Sequence, residues 1–206
     1  MARRLGISHQ NLGLIVDRAM VKTPFPYLGD LRLFVSDKSG AYCVNWPVKN
    51  KYEDFKLPGP RSSLRALSDN DDAAAVARHR LELEYHADAG IRTHPVALEV
   101  MDRAVCLNLR NVFLDDSYPV PLSAKHRKTA LEMARSYVGV DVPAYQVARR
   151  IAKEFRITER DAIALLHQGI WRRELHVDLF EPFLMPSPMR PQVVDPVDHY
   201  AEMFAR

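Results

Sequence analysis

Residues 31–36 (LRLFVS) and 41–49 (AYCVNWPVK) are rich in β-branched and aromatic side chains, the composition of strands. DKSG at 37–40 supplies turn residues between them, so the pair predicts a β-hairpin. Residues 50–70 are polar, carry Pro58, Gly59 and Pro60, and read as a loop. From Asp71 to Ala89 the period becomes helical: Val76, Leu83 and Ala87 fall near one face with charges opposite, and Gly90 is placed to cap the helix. THPVALEV (93–100) returns to strand patterning. The order strand, strand, helix, strand predicts an α/β domain over residues 1–120.

The pattern changes near Pro119 and Pro121, and a second domain is expected over 121–206. Ser123 is placed to cap a helix reaching Val138. Asp141 and Pro143 open a second helix, whose apolar stripe is Val147, Ile151 and Phe155. Thr158 with Asp161 has the spacing of a capping box for a third helix, expected to end at Gly169. A strand over Trp171–Phe180 would then serve as a wing, and three helices plus a wing fit a winged-helix-like module. Beyond Glu181 the five prolines predict an extended tail, closed by the short amphipathic stretch DHYAEMFAR.

Composition adds limits. The chain has 206 residues, 47% of them apolar, enough for a core in one large domain or two small ones. A formal net charge of only +3 means that a nucleic-acid face must come from local clustering. Cys43 and Cys106 lie in apolar, strand-like contexts and read as buried thiols of a reduced, cytoplasmic protein. No apolar run approaches the roughly 18–20 residues that span a bilayer, and MARRLGISHQ lacks the apolar core of a secretion signal, so no membrane partner is expected.

The candidate chemistry sits on the hairpin. Asp30 precedes the first strand and Lys49 ends the second, where alternation puts Asn45, Pro47 and Lys49 on one side. A carboxylate and a lysine so placed suit phosphodiester cleavage. Magnesium takes hard oxygen ligands, lowers the pKa of a bound water and neutralises charge developing on phosphate, while lysine holds water and phosphate electrostatically.

Several segments in order extend this reading: RLGISHQ (4–10), GDLRLF (29–34), NWPVKN (45–50), HRLELEYHADAGI (79–91), LNLRNV (107–112) and ALLHQGIWRRELHVDLFEP (164–182). In that order they resemble the TnsA-type endonuclease subunits of heteromeric bacterial transposases. The resemblance implies a restriction-endonuclease-like mixed-sheet domain followed by a helical, winged-helix-like one. It implies magnesium-dependent cutting at transposon 5′ ends, beside an integrase-type partner transposase and an AAA+ ATPase regulator that meets the C-terminal region. Asp30 would be the metal carboxylate, with the Val48 carbonyl a further ligand, and Lys49 the catalytic lysine. The chain departs from the pattern in two places. No Glu precedes Glu53, so the nuclease domain is expected to be shortened at its start, and Pro47 stands where the family has Gln or an acidic residue. A nuclease-deficient relative that bridges DNA and transposition proteins is the alternative.

Basic residues cluster in the C-terminal region. Lys125, His126, Arg127 and Lys128 fall in the first turns of the helix opened by Ser123, where cations oppose the helix dipole, which hints at a phosphate-contacting patch. Arg149 and Arg150 lie opposite the Val147 stripe, and Arg172 and Arg173 on the expected wing. These eight are the candidate DNA contacts. The third helix, TERDAIALLHQ, is half apolar and acidic at its start, poor equipment for reading base edges.

Overall fold

The computed structural model describes residues 4–7, 11–24, 30–55 and 69–206. The chain divides into two compact units, Met1–Val100 with Ala201–Arg206, and Met101–Tyr200. The division therefore falls at Val100 and Met101, and residue 120, expected as the boundary, lies inside the second unit.

In the first unit, β1 (Asn11–Val16) and β2 (Ala19–Pro24) pair antiparallel as a ribbon. Asp17 and Arg18 turn it with φ of 51° and 65°, the positive pair that a two-residue hairpin requires. The sequence offers no Asn-Gly or Asp-Gly signal there, and the ribbon was not among the expected elements. The hairpin expected at 31–49 is present as β3 (Leu31–Asp37) and β4 (Gly40–Trp46), antiparallel from Leu31↔Trp46 to Asp37↔Gly40.

The second expected strand is broken at Pro47, after which β5 (Val48–Lys49) resumes. Helix α1 (Asp69–Asp88) ends as expected: Gly90 has φ +67°, and the Ile91 N–H returns to the His86 carbonyl at 2.8 Å. The following strand is shorter than expected. It forms β6 (Arg92–Thr93), parallel to β4, and β7 (Val96–Ala97), parallel to β5, and a 3-10 turn takes Leu98–Val100. A parallel pair joined through a helix makes this unit α/β, with a mixed sheet ordered β3-β4-β6.

Alternation along β4 gives two faces with different partners. Asn45, fully buried, points toward α1, where its amide donates to Glu82 Oε1 at 3.2 Å. Tyr42 and Trp46 point the other way and meet the 3-10 turn Ala201–Phe204.

The second unit is helical: α2 (Arg103–Phe113), α3 (Ala124–Arg135), α4 (Ala144–Phe155), α5 (Glu159–Trp171) and the short α6 (Pro196–His199). The caps read from sequence are in place. Ser123 accepts from the His126 N–H at 3.2 Å, and Thr158 with Asp161 closes a capping box. Val105, Leu131, Val147, Ile151, Leu165 and Leu166 are among the buried apolar side chains between these helices.

Four expectations are corrected. Cys106 is not in a strand; it lies exposed on α2, whose N-cap Asp102 accepts from the Ala104 and Val105 N–H groups. Gly169 does not end α5 but lies buried inside it, where the Leu131 and Leu175 side chains close on the missing Cβ. The wing strand is absent. Arg173 turns with φ 59°, the Glu174 and Leu175 N–H groups both return to the Gly169 carbonyl at 2.7 and 2.9 Å, and Val177 makes only an isolated bridge to Pro191. The tail, finally, does not run free. Phe183 and Met189 join the core, and the Met185 and Ser187 carbonyls accept the Tyr145 and Ala144 N–H groups, each at 2.9 Å.

A Cβ at Gly169 would sit 2.7 Å from Leu131 Cδ2 and 3.0 Å from Leu175 Cδ1. Gly169→Ala is therefore expected to destabilise the protein by about 1–3 kcal/mol, although alanine is the better helix former. A urea titration checks this; unchanged or raised stability would show that the two leucines move aside without cost.

Candidate functional site

Asp30 sits one step beyond the Leu31↔Trp46 pair, level with the break in the opposite strand. Pro47 has no N–H to offer the sheet ladder. The Asp30 carboxylate takes over the pairing role, Oδ2 accepting from the Val48 N–H at 2.8 Å. The exposed Asp30 is thus brought against Val48, beside the half-buried Lys49. No salt bridge within 4.0 Å joins Asp30 to Lys49 among the described residues. Asn45, on the Lys49 side by alternation, is committed to the layer under α1. Its amide nitrogen lies 3.2 Å from Glu82 Oε1 and 3.5 Å from Thr93 Oγ1, and its Oδ1 is buried without a partner.

Magnesium favours about six oxygen ligands. Asp30 and the Val48 carbonyl would be two, and among the described residues no group of three His, Cys, Asp or Glu side chains is arranged to hold a metal. These residues do not by themselves make a magnesium site.

The eight basic candidates separate into two groups. Arg127 makes a bidentate pair with Glu174, at 2.8 and 2.5 Å, which raises its own pKa and lowers that of Glu174. Arg149 pairs with Glu159 at 3.0 Å, Arg172 with Asp116 at 2.9 Å, and Arg173 with Asp195. Arg150 donates to the Tyr137 hydroxyl at 2.6 Å and lies over its ring. Arg172 and Arg173 sit at the end of α5 rather than on a wing. Lys125, His126 and Lys128 are exposed and have no carboxylate partner among the described residues; the His126 ring lies 5.9 Å from Phe155. Lys125 and Lys128, three residues apart on α3, could meet a phosphate together, whereas a phosphate would have to draw Arg127, Arg149, Arg172 or Arg173 from its carboxylate.

A polar cluster in the second unit was not anticipated. Asp115, 5% exposed, receives a bidentate bond from Arg160 and a 2.6 Å bond from His167 Nδ1. Gln168, also buried, donates to the carbonyls of Asp115 at 2.9 Å and Tyr118 at 2.7 Å. The Tyr118 hydroxyl donates to Asp161 at 3.0 Å, and Arg160 stacks over the Tyr118 ring. The Arg160 guanidinium, with His167 adding to it against the cost of burial, holds the Asp115 carboxyl below its ordinary pKa. The cluster ties the end of α2 to α5. Its partners lie 43–53 residues apart in sequence, so no local motif announces it.

No described helix is long and apolar enough to cross a membrane. No known family model matches the chain, and no curated protein matches it.

Proposed function

We propose that this chain is a cytoplasmic, TnsA-type subunit of a heteromeric transposase. In this reading it cuts DNA at transposon 5′ ends within a complex that includes an integrase-type transposase and an AAA+ regulator. The first unit would be a restriction-endonuclease-like domain, and α3–α5 of the second a three-helix module without the wing. The observation that carries the reading is the bond from the Val48 N–H to Asp30, which sets an exposed carboxylate beside the strand that ends in Lys49. The parallel β5–β7 pair gives that strand a fixed place. Lys49 would hold phosphate and attacking water, and Asp30 would supply one oxygen ligand. A magnesium ion held there would need its remaining ligands from water, phosphate or another chain. Lys125, His126 and Lys128 would contact phosphate.

A second reading, a nuclease-deficient relative that bridges DNA and transposition proteins, is favoured by Pro47, which offers no ligand, and by the commitment of Asp30 Oδ2 to the backbone. End cleavage by the full complex, with wild type, Asp30→Ala and Lys49→Ala, separates the two. In the cutting subunit each variant is expected to lose 5′-strand cleavage by about 100-fold or more with assembly intact. Normal cutting by both variants would remove these residues from the site, and no cutting by wild type in an intact complex would establish the bridge.

A further inference from the structure

Four side chains on one face of the β3-β4-β6 sheet and its β6 edge donate to four consecutive backbone carbonyls of residues 203–206. Trp46 Nε1 donates to the Met203 carbonyl at 2.7 Å and the Tyr42 hydroxyl to that of Phe204 at 2.6 Å. His94 Nε2 donates to the Ala205 carbonyl at 3.0 Å and Arg92 Nη1 to that of Arg206 at 2.6 Å. A carbonyl only accepts, so His94 carries a proton on Nε2 in this arrangement. Strand alternation puts Tyr42 and Trp46 on the same face, and Arg92 lies opposite Val44 in the parallel register.

Carbonyls are common to every peptide, so these donors recognise a chain rather than a sequence. Two further contacts select side chains. The Phe204 ring lies 5.0 Å from that of Trp46. Arg206 bonds Asp37 at 2.8 and 3.3 Å and the Gly40 carbonyl at 2.7 Å, with its guanidinium 4.4 Å above the Tyr42 ring. The surface is therefore built for an aromatic residue followed, two positions on, by an arginine.

We propose that this sheet face is a peptide-docking cradle, and that residues 201–206 of a second copy of this chain can occupy it in place of the first copy's own. Both selective contacts match Phe204 and Arg206, which a second copy carries, and the Asp37 carboxylate complements the arginine charge. The cradle groups precede the segment by 111 to 169 residues, so the chain passes through all of Met101–Tyr200 before it docks. The contacts are the same whichever copy supplies the segment, and only the effective concentration differs. Reciprocal exchange would give a closed dimer, each cradle holding the other copy's segment.

The probe is a fluorescein-labelled peptide of residues 201–206, added to the full-length chain carrying Phe204→Ala and Arg206→Ala. Saturable binding to this variant is expected. It should be at least tenfold weaker for a peptide with Glu in place of the arginine, and at least tenfold weaker for dilute wild type, whose cradle is filled. In sedimentation, wild type should show a concentration-dependent dimer that the two substitutions abolish. Circular dichroism checks the variant's fold, and Arg206→Ala alone, at an exposed side chain, serves if the double variant loses structure. Absence of peptide binding, equal binding by wild type, or a wild type that stays monomeric at all concentrations would overturn the proposal.

Discussion

Removal of residues 181–206 is expected to unfold the helical unit. Met189 is fully buried and Phe183 is 8% exposed, both within the core of α2–α5. Truncating one such side chain to alanine costs about 2–5 kcal/mol. Losing both approaches the total stability of a domain, about 5–15 kcal/mol. The backbone of the tail matters as well. Pro143, the N-cap of α4, makes no side-chain cap, so the first N–H groups of α4 depend on the Ser187 and Met185 carbonyls. Asn108, buried on α2, donates to the Leu179 and Glu181 carbonyls and accepts from the Phe183 N–H at 3.0 Å. A chain ending at Phe180 would strand part of that side chain's hydrogen bonding. The expected result is loss of a cooperative thermal transition for the second unit, with Met189→Ala alone lowering stability by about 2–5 kcal/mol. A truncated chain that still unfolds cooperatively near the wild-type temperature would show that the tail only decorates the helices. The prolines alone suggest the opposite outcome, a tail dispensable for folding and free to dock a partner, and the packing of Phe183 and Met189 corrects that expectation.

What was legible in the sequence was local. Ser123, and Thr158 with Asp161, signal helix starts because the side chain and the N–H it satisfies lie three residues apart. The hairpin turn at 37–40 and the glycine after α1 are local in the same sense. The tail was misread because proline removes a donor and keeps its acceptor. Proline-rich sequence rules out a helix but says nothing about whose N–H groups its carbonyls will meet. Gly169 was misread because a glycine near a helix end fits a C-cap and a close approach equally, and only Leu131 and Leu175 decide between them. The Arg172–Arg173 pair suggested a DNA-facing wing, yet each arginine has a carboxylate from elsewhere in the chain. In the candidate site, face parity brought Asp30 and Lys49 to attention, while the bond that ties Asp30 to Val48 depends on the register opposite Pro47.

The Asp115 cluster carries the second large effect. Asp115→Ala leaves Arg160 and His167 without their shared carboxylate, and removing one partner of a buried charge pair costs about 3–5 kcal/mol. Arg160 is half exposed and recovers part of its hydration, which reduces the expected loss to about 2–3 kcal/mol at neutral pH. The same carboxylate contributes to acid sensitivity. Its pKa is lowered in the folded state by Arg160 and then His167, as that of Asp161 is lowered by Thr158 and that of Glu174 by Arg127. With folded values below unfolded ones, the unfolded chain binds protons first as the pH drops. The stabilisation is therefore complete above the unfolded carboxylate range, about pH 4, and is lost as the pH falls through the lowered folded values. Asp115→Asn keeps the shape and removes the titration. Urea unfolding at neutral pH and at successive steps below about pH 4 is expected to show wild type losing stability more steeply than the variant. Parallel pH profiles would mean that Asp115 titrates alike in both states and that the cluster holds α2 to α5 through geometry rather than charge.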